Sequence, residues 1–381
     1  MTYTEADGSD SDLGELDQPD GAGITEFEQR DLLQVESTPA TVSYSGQDFD
    51  VDGLVRRLAR GDILIPTFGH NDSRISSAGF QRSFVWTKPQ MDRFIESLLL
   101  GYPIPGIFLV RQADRRYLVL DGQQRLRTLQ YFYKGMHEDK LFQLANVSPD
   151  FRGLTYESLT EEQRLLIDNT FLQATIVATD GSAGSLDAIY QIFERLNSGG
   201  TQLTPHEIRV ALFAGPFIDY LERLNGHPSW RSLYGQRSPR LRDQELLLRI
   251  LALYVTAPAY KRPLKTFLNN FVGQYRDLAK LPDDSLRDRF FGACDLLNEA
   301  VGRNGLTRQG YQVNAALTEA IFVGLMRRLG HETLPESAGI RFALDALRDD
   351  PSFQSSISRS TADEENVRTR LDLATVRLAQ T

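Results

Sequence analysis

Residues 117–131, YLVLDGQQRLRTLQY, constrain the fold more than any other stretch. Tyr117, Leu118, Val119 and Leu120 run unbroken into Asp121-Gly122, and Leu126, Leu129 and Tyr133 then recur at helical spacing. The pattern predicts a buried strand, a tight glycine turn and the start of a helix. Asp121, Arg125 and Thr128 share a second face of that helix by the same i, i+3, i+4 rule. A strand that hands polar groups to a helix N-terminus is one way to build an anion or phosphate site. A purely structural reading also accounts for part of the stretch: Asp121 as N-cap, Gln124 at N3 closing a capping box, and Gly122 only permitting the turn. That reading leaves Arg125 and Arg127 over. Cations in the first turns oppose the helix dipole by about 0.3–1 kcal/mol each unless an anion answers them.

The rest of the chain bounds what such a turn can belong to. With 381 residues, 41% hydrophobic and 24% charged, it has the make-up of a globular protein of one large or two ordinary domains. The single cysteine, Cys294, excludes an internal disulfide framework and suits a reducing, cytoplasmic setting. Cys294 itself sits in an apolar helical pattern and reads as core. The longest apolar run, residues 95–110, is broken by Gly101, Pro103 and Pro105, so no membrane span is expected. The net charge of −9 argues against a broad basic surface wrapped on DNA but leaves room for a local patch.

Residues 1–47 read as a disordered acidic tail, with a short helix near 25–35. It begins acidic rather than basic-then-apolar, so it does not read as a signal peptide. A solubilising leader is the simple interpretation, and a partner-docking or DNA-mimicking tail is the alternative. Order is expected from near Asp48, with Phe49, Val51, Leu54, Val55 and Leu58 at helical spacing and Gly61 as the stop. Residues 63–65 make a short strand ended by Pro66. In FQRSFVW, residues 80–86, Arg82 lies among aromatics; it is either a snorkelling turn arginine or one offered to a phosphate. An amphipathic helix is predicted over 88–100, strands over 107–110, 117–120 and 171–178, and a helix over 181–197 with Leu186, Ile189, Phe193 and Leu196 inward. Residues 133–170 are less periodic.

FERLNSGGTQL, residues 193–203, ends that helix with left-handed candidates at Asn197 and the glycines. Thr204-Pro205-His206-Glu207 then forms a capping box with proline at N1, which makes His206 an exposed first-turn residue. Arg195, Asn197 and Thr201 are not required by these caps. Everything after Thr204 is helical in pattern. The prediction is therefore an α+β domain at 48–203 followed by an α-helical domain at 204–381. Two basic loops, 235–242 and 303–314, are solvated loops or phosphate contacts. No HExxH, zinc, P-loop or GxSxG pattern occurs.

YLVLDGQQRLRTL resembles the DGQQR signature of a bacterial domain family in the ParB/sulfiredoxin-like superfamily, which includes the GmrS half of GmrSD-type modification-dependent restriction enzymes. FQRSFVW resembles the family's upstream arginine motif and FERLNSGGTQLTPHEIR its downstream one, in the same order. The resemblance spans about 48–213 well and the helical remainder weakly. It implies a ParB/sulfiredoxin-like mixed core followed by an α-helical bundle, with the strand–DG–helix turn binding a nucleoside triphosphate. By position, Asp121, Gln123, Gln124 and Arg125 are the catalytic candidates. Gln81, Arg82, Gly122, Thr128, Arg195, Asn197 and Thr201 are the nucleotide-binding ones, and Asp121 is the candidate Mg²⁺ ligand. The implied activity is NTP binding and hydrolysis regulating phage defence or DNA restriction, with DNA and a separate nuclease or effector as partners. A DNA-binding scaffold without turnover and a nuclease built on the DGQQR cluster are the alternatives. The chain departs from many relatives in having no histidine beyond His331, hence no C-terminal His-Asn nuclease motif. It also lacks the sulfiredoxin cysteine at the turn.

Overall fold

The computed structural model describes residues 42–65, 86–112, 114–179, 183–196, 204–238, 240–281, 285–307, 313–331 and 334–381. In chain order the mixed part comprises β1 (Tyr44–Asp50), α1 (Val51–Arg60), β2 (Ile63–Leu64), α2 (Lys88–Leu99), β3 (Ile107–Arg111) and β4 (Tyr117–Asp121). It continues with α3 (Gln123–Lys134), β5 (Met136–His137), β6 (Lys140–Leu141), α4 (Glu161–Asp168), β7 (Phe171–Ala178) and α5 (Ala183–Leu196). The helical part comprises α6 (Pro205–Leu212), α7 (Pro216–Asn225), α8 (Pro228–Tyr234), α9 (Arg242–Thr256), α10 (Leu264–Gln274) and α11 (Leu286–Ala300). It ends with α12 (Ala315–Arg328), α13 (Ser337–Asp349), α14 (Pro351–Ser356) and α15 (Glu364–Leu378). The α+β class with a helical C-terminal region is as predicted.

Five strands form one mixed sheet in the order β1-β7-β3-β4-β2. β1–β7 and β3–β4 are antiparallel, while β3–β7 and β2–β4 are parallel. Strand alternation gives each face its own core. One face carries Ile63, Ile107, Leu109, Val119, Leu172 and Ala174, packed with Leu54, Phe94, Leu126, Leu129 and Phe132. The opposite face carries Leu64, Val110, Leu118, Leu120 and Val177. These join Ile189, Tyr190 and Phe193 of α5 and continue into the helical core around Trp230, Phe290 and Phe322. The units predicted at 48–203 and 204–381 thus share a core across their boundary.

Two expectations at the front of this region are corrected. A strand already runs from Tyr44, ahead of the onset predicted near Asp48, and Phe49 lies in that strand, not in a helix. The helix starts at Val51 because Asp50 caps it, accepting from Gly53 N–H at 2.5 Å, and Gly61 stops it in the left-handed region at φ 79°. The irregular stretch after Tyr133 hides α4, which Thr160 and Gln163 close with a capping box. The predicted helix over 88–100 is borne out: Met91, Phe94, Ile95, Leu98 and Leu99 are buried, with Pro89 in the first turn.

Candidate functional site

The β4–α3 turn puts the DGQQR residues at one end of the sheet. β3 and β4 shift register there: Leu109 lies opposite Val119 but Phe108 opposite Asp121, so Leu120 is an extra residue. Such a bulge re-aims the side chain that follows it. Asp121 is therefore the last strand residue and not the N-cap. The N-cap is Gly122, at φ 93°, which has no side chain to cap the helix. This corrects the predicted capping box of Asp121 and Gln124. The glycine is also more than permissive. A Cβ at Gly122 would lie 2.4 Å from Ile107 Cγ2 and 3.3 Å from Arg125 Nη2.

Freed from capping, Asp121 accepts a hydrogen bond from Arg125 Nη2 at 2.9 Å. The Asp121 side chain is half exposed, while that of Arg125 is only 14% exposed. Arg125 Nε is buried with no hydrogen-bond partner among the described residues. An unanswered buried donor of this kind is costly, and a phosphate oxygen is a suitable acceptor. Gln124 has a different partner: its Oε1 accepts from Trp86 N–H at 3.2 Å, which ties the entrance of α2 to the start of α3. Gln123 is half-buried at the first position of the helix. Thr128 is fully buried, and its hydroxyl donates to the Gln124 carbonyl at 2.8 Å.

Among the other predicted site residues, Arg195 is exposed on the last turn of α5. Helix α5 lies against the Leu118–Leu120 face of β4 through Ile189 and Phe193. Gln81, Arg82, Asn197 and Thr201 lie outside the described residues, as does the side chain of Leu186. The structure thus brings Asp121, Gly122, Gln124 and Arg125 together with Trp86 and Ile107. Among the described residues no group of three His, Cys, Asp or Glu is placed to hold a metal ion. A single carboxylate is nonetheless enough for Mg²⁺ when phosphates supply further oxygens, and Asp121 has the exposure for that.

Residues 65–214 match the GmrSD restriction endonuclease N-terminal domain. The GmrSD match supports kinship with a GmrSD restriction-protein family, and it covers less than half of the 381-residue chain. It runs from the end of β2 through α6 and contains every predicted site residue. No curated protein matches the chain. No described helix is long and apolar enough to cross a membrane.

At the end of the GmrSD-like segment, sequence reasoning misplaced His206. The Thr204–Glu207 capping box is present, with Thr204 N–H donating to Glu207 at 2.5 Å. His206, however, is fully buried. Arg209 Nη1 lies 3.0 Å from its Nδ1. A guanidinium only donates, so Nδ1 accepts and the proton sits on Nε2, 2.9 Å from Gln244 Oε1. Gln244 passes the sense of donation on to Glu222 at 3.2 Å. Arg209 also donates to Asn269 at 2.9 Å, and Asn269 to Asp187 of α5 at 3.2 Å. Two arginines of the basic loop at 235–242 are paired as well: Arg237 with Glu222, and Arg240 with Glu207 at 3.1 Å. Nothing in the spacing of HEIR reveals this, because its acceptors come from helices far along the chain.

Burial, and after it the Arg209 charge, pull the His206 pKa down to about 3. The unfolded chain therefore takes up this proton first. Its contribution to stability is complete above the ordinary histidine pKa near 6.5 and is lost as pH falls from there toward 3, by about 1.4 kcal/mol per unit. Urea titrations across that window should show a shallower loss in His206→Gln than in the wild type; equal slopes would remove His206 as the cause.

Asp92 was not foreseen either. It is fully buried and accepts from Lys88, from Asn146 Nδ2 at 2.8 Å and from the Asn146 and Ala145 amides at 3.0 and 3.2 Å. Lys88, four residues earlier, was the available signal. Asp92 anchors the 145–146 loop to α2, whose first turn abuts the Trp86–Gln124 contact.

Proposed function

We propose that the chain is the nucleotide-binding regulatory component of a prokaryotic restriction or phage-defence system. It binds and hydrolyses a nucleoside triphosphate with Mg²⁺ and acts with a separate, DNA-cleaving effector in the cytoplasm. The observation that carries this reading is the β4–α3 turn: a helix N-terminus with a left-handed glycine as its N-cap, and a buried arginine whose Nε has no partner among the described residues. The match to the GmrSD N-terminal domain supports the biological setting.

Each residue then has a task. The amides of the first turn of α3 take phosphate oxygens, which suit the positive end of the helix. Arg125 now answers Asp121; with a phosphate in place, its free Nε–H and fork donate to the phosphate instead. Asp121 would hold Mg²⁺, which would supply charge neutralisation to the phosphates. Gln123 orients the attacking water toward the terminal phosphorus. Gln124 keeps its carbonyl on Trp86 N–H, which leaves its amide nitrogen as a donor. Gly122 lets the backbone approach, Thr128 braces the first turn from beneath, and Arg195 closes the far wall. Gln81, Arg82, Asn197 and Thr201 complete the pocket in this proposal.

Titration of the full chain with ATP, GTP, CTP and UTP in the presence of Mg²⁺ tests the reading. One of them should bind and turn over. Arg125→Ala should weaken binding by about 10- to 100-fold, the equivalent of the 1.5–3 kcal/mol of a charged hydrogen bond. Unchanged affinity and turnover in that variant would contradict the assignment.

A further inference from the structure

The charge of this chain is divided unevenly. Residues 1–41 hold eleven of the 51 acidic residues and one of the 42 basic ones, a net charge of −10. The remaining chain, with 41 basic residues against 40 acidic, carries +1. Within that nearly neutral remainder, α3 (QQRLRTLQYFYK) contains no acidic residue. Its buried side chains are Leu126, Thr128, Leu129 and Phe132. Gln123, Arg127, Gln130 and Lys134 fall on the opposite side, within about 60° of one another and along about 16 Å of helix. All four are half-buried or exposed, and neither Arg127 nor Lys134 has an acidic partner among the described residues.

No other described helix offers this. Of those without acidic residues, α8 has Arg231 paired with Asp243 at 2.8 Å, α10 has Lys265 buried against the Tyr190 ring, and α14 has no cation. Beyond Lys134 comes the β5–β6 hairpin, whose tip carries exposed Glu138, Asp139 and Lys140 and whose base carries two exposed apolar side chains. The β5–β6 hairpin sets Met136 opposite Leu141, and these are 38% and 62% exposed.

We propose that the outer face of α3 and the β5–β6 hairpin form a docking surface for residues 26–36 of the same chain, EFEQRDLLQVE. Glu138 and Asp139 at the hairpin tip stay outside the contact, and elsewhere the two sides match in kind. Glu26, Glu28, Asp31 and Glu36 face Arg127, Lys134 and the Gln123 and Gln130 amides. Phe27, Leu32, Leu33 and Val35 cover Met136 and Leu141. Reach permits it: β1 lies three strand spacings from β4, about 14 Å, and the eight residues from Glu36 to Tyr44 span up to about 28 Å. A tethered segment engages at high effective concentration, so contacts that are individually weak suffice. Docked, the segment neutralises this face and competes with any polyanion for it.

Zero-length carbodiimide coupling on the full-length protein tests this. Lys134 should couple to an acidic residue within 26–36 of its own chain, and the yield should fall several-fold at high salt or in Arg127→Glu. Amide exchange over 136–141 should quicken in a full-length variant carrying Glu26→Gln, Glu28→Gln, Asp31→Asn and Glu36→Gln. Coupling of Lys134 elsewhere or not at all, or unaltered exchange in that variant, overturns the proposal. A short DNA duplex separates the rival occupant. If Arg127→Glu abolishes duplex binding while the neutralised variant binds no tighter than the wild type, the face belongs to nucleic acid and the proposal fails. Tighter duplex binding by the neutralised variant supports competition by the segment.

Discussion

Gly122→Ala is expected to destabilise the protein by about 2–5 kcal/mol and to abolish nucleotide binding. Two independent effects combine. A φ of 93° lies where an alanine Cβ meets its own backbone, at about 1–2 kcal/mol. The added carbon also lands 2.4 Å from Ile107 Cγ2, a fully buried side chain in the sheet core that cannot turn aside. Overpacking of this kind costs about 1–3 kcal/mol. Gly101→Ala separates the two effects. Gly101 has φ 68° and nothing within 4 Å of its virtual Cβ, so it should lose only the conformational part. Urea midpoints of the two variants measure the difference, and equal losses would show that the Ile107 contact carries no cost.

Glu319→Ala should cost about 3–5 kcal/mol, as expected when one member of a buried charge cluster is removed. Glu319 is fully buried on α12 between two arginines: Arg249 of α9 donates to it at 2.9 Å, and Arg370 of α15 pairs with its other oxygen. Arg370 also donates to the Thr361 carbonyl at 2.6 Å. The carboxylate therefore joins three helices, and its loss strands two guanidinium groups away from water. Glu319→Gln retains an acceptor and should lose less. Denaturant unfolding compares them, and a loss under about 1 kcal/mol for the alanine variant would mean that water or a rearranged side chain replaces the carboxylate.

These two positions show what was legible in the sequence. The strand–glycine–helix reading of 117–131 held because apolar periodicity is local. The requirement for glycine at 122 was only half visible. The turn suggested it, but the contact with Ile107 depends on β3 lying beside β4. The capping-box reading failed for a related reason. It presumed that Asp121 was free to fold back, whereas the bulge at Leu120 keeps it in the strand and turns it toward Arg125. His206 failed because capping chemistry describes a helix end and says nothing of what later packs on it. Gln244 and Arg209 engage the two ring nitrogens, and Gln244, held in turn by Glu222, comes from another helix. Asp92, Glu319 and Arg370 are charged residues that composition would place outside. Apart from Lys88 beside Asp92, their partners lie far along the chain or on other helices, and only the assembled fold makes their burial affordable.

The nucleoside triphosphate site proposed here is the β4–α3 turn. A crystal structure of the full chain with Mg²⁺ and a non-hydrolysable form of the nucleotide that binds tests it most directly. A phosphate is expected within hydrogen-bond distance of the Gln123 and Gln124 amides, with Arg125 turned from Asp121 onto it and Asp121 facing the metal. A nucleotide bound elsewhere, with the Asp121–Arg125 pair intact at 2.9 Å, would contradict it.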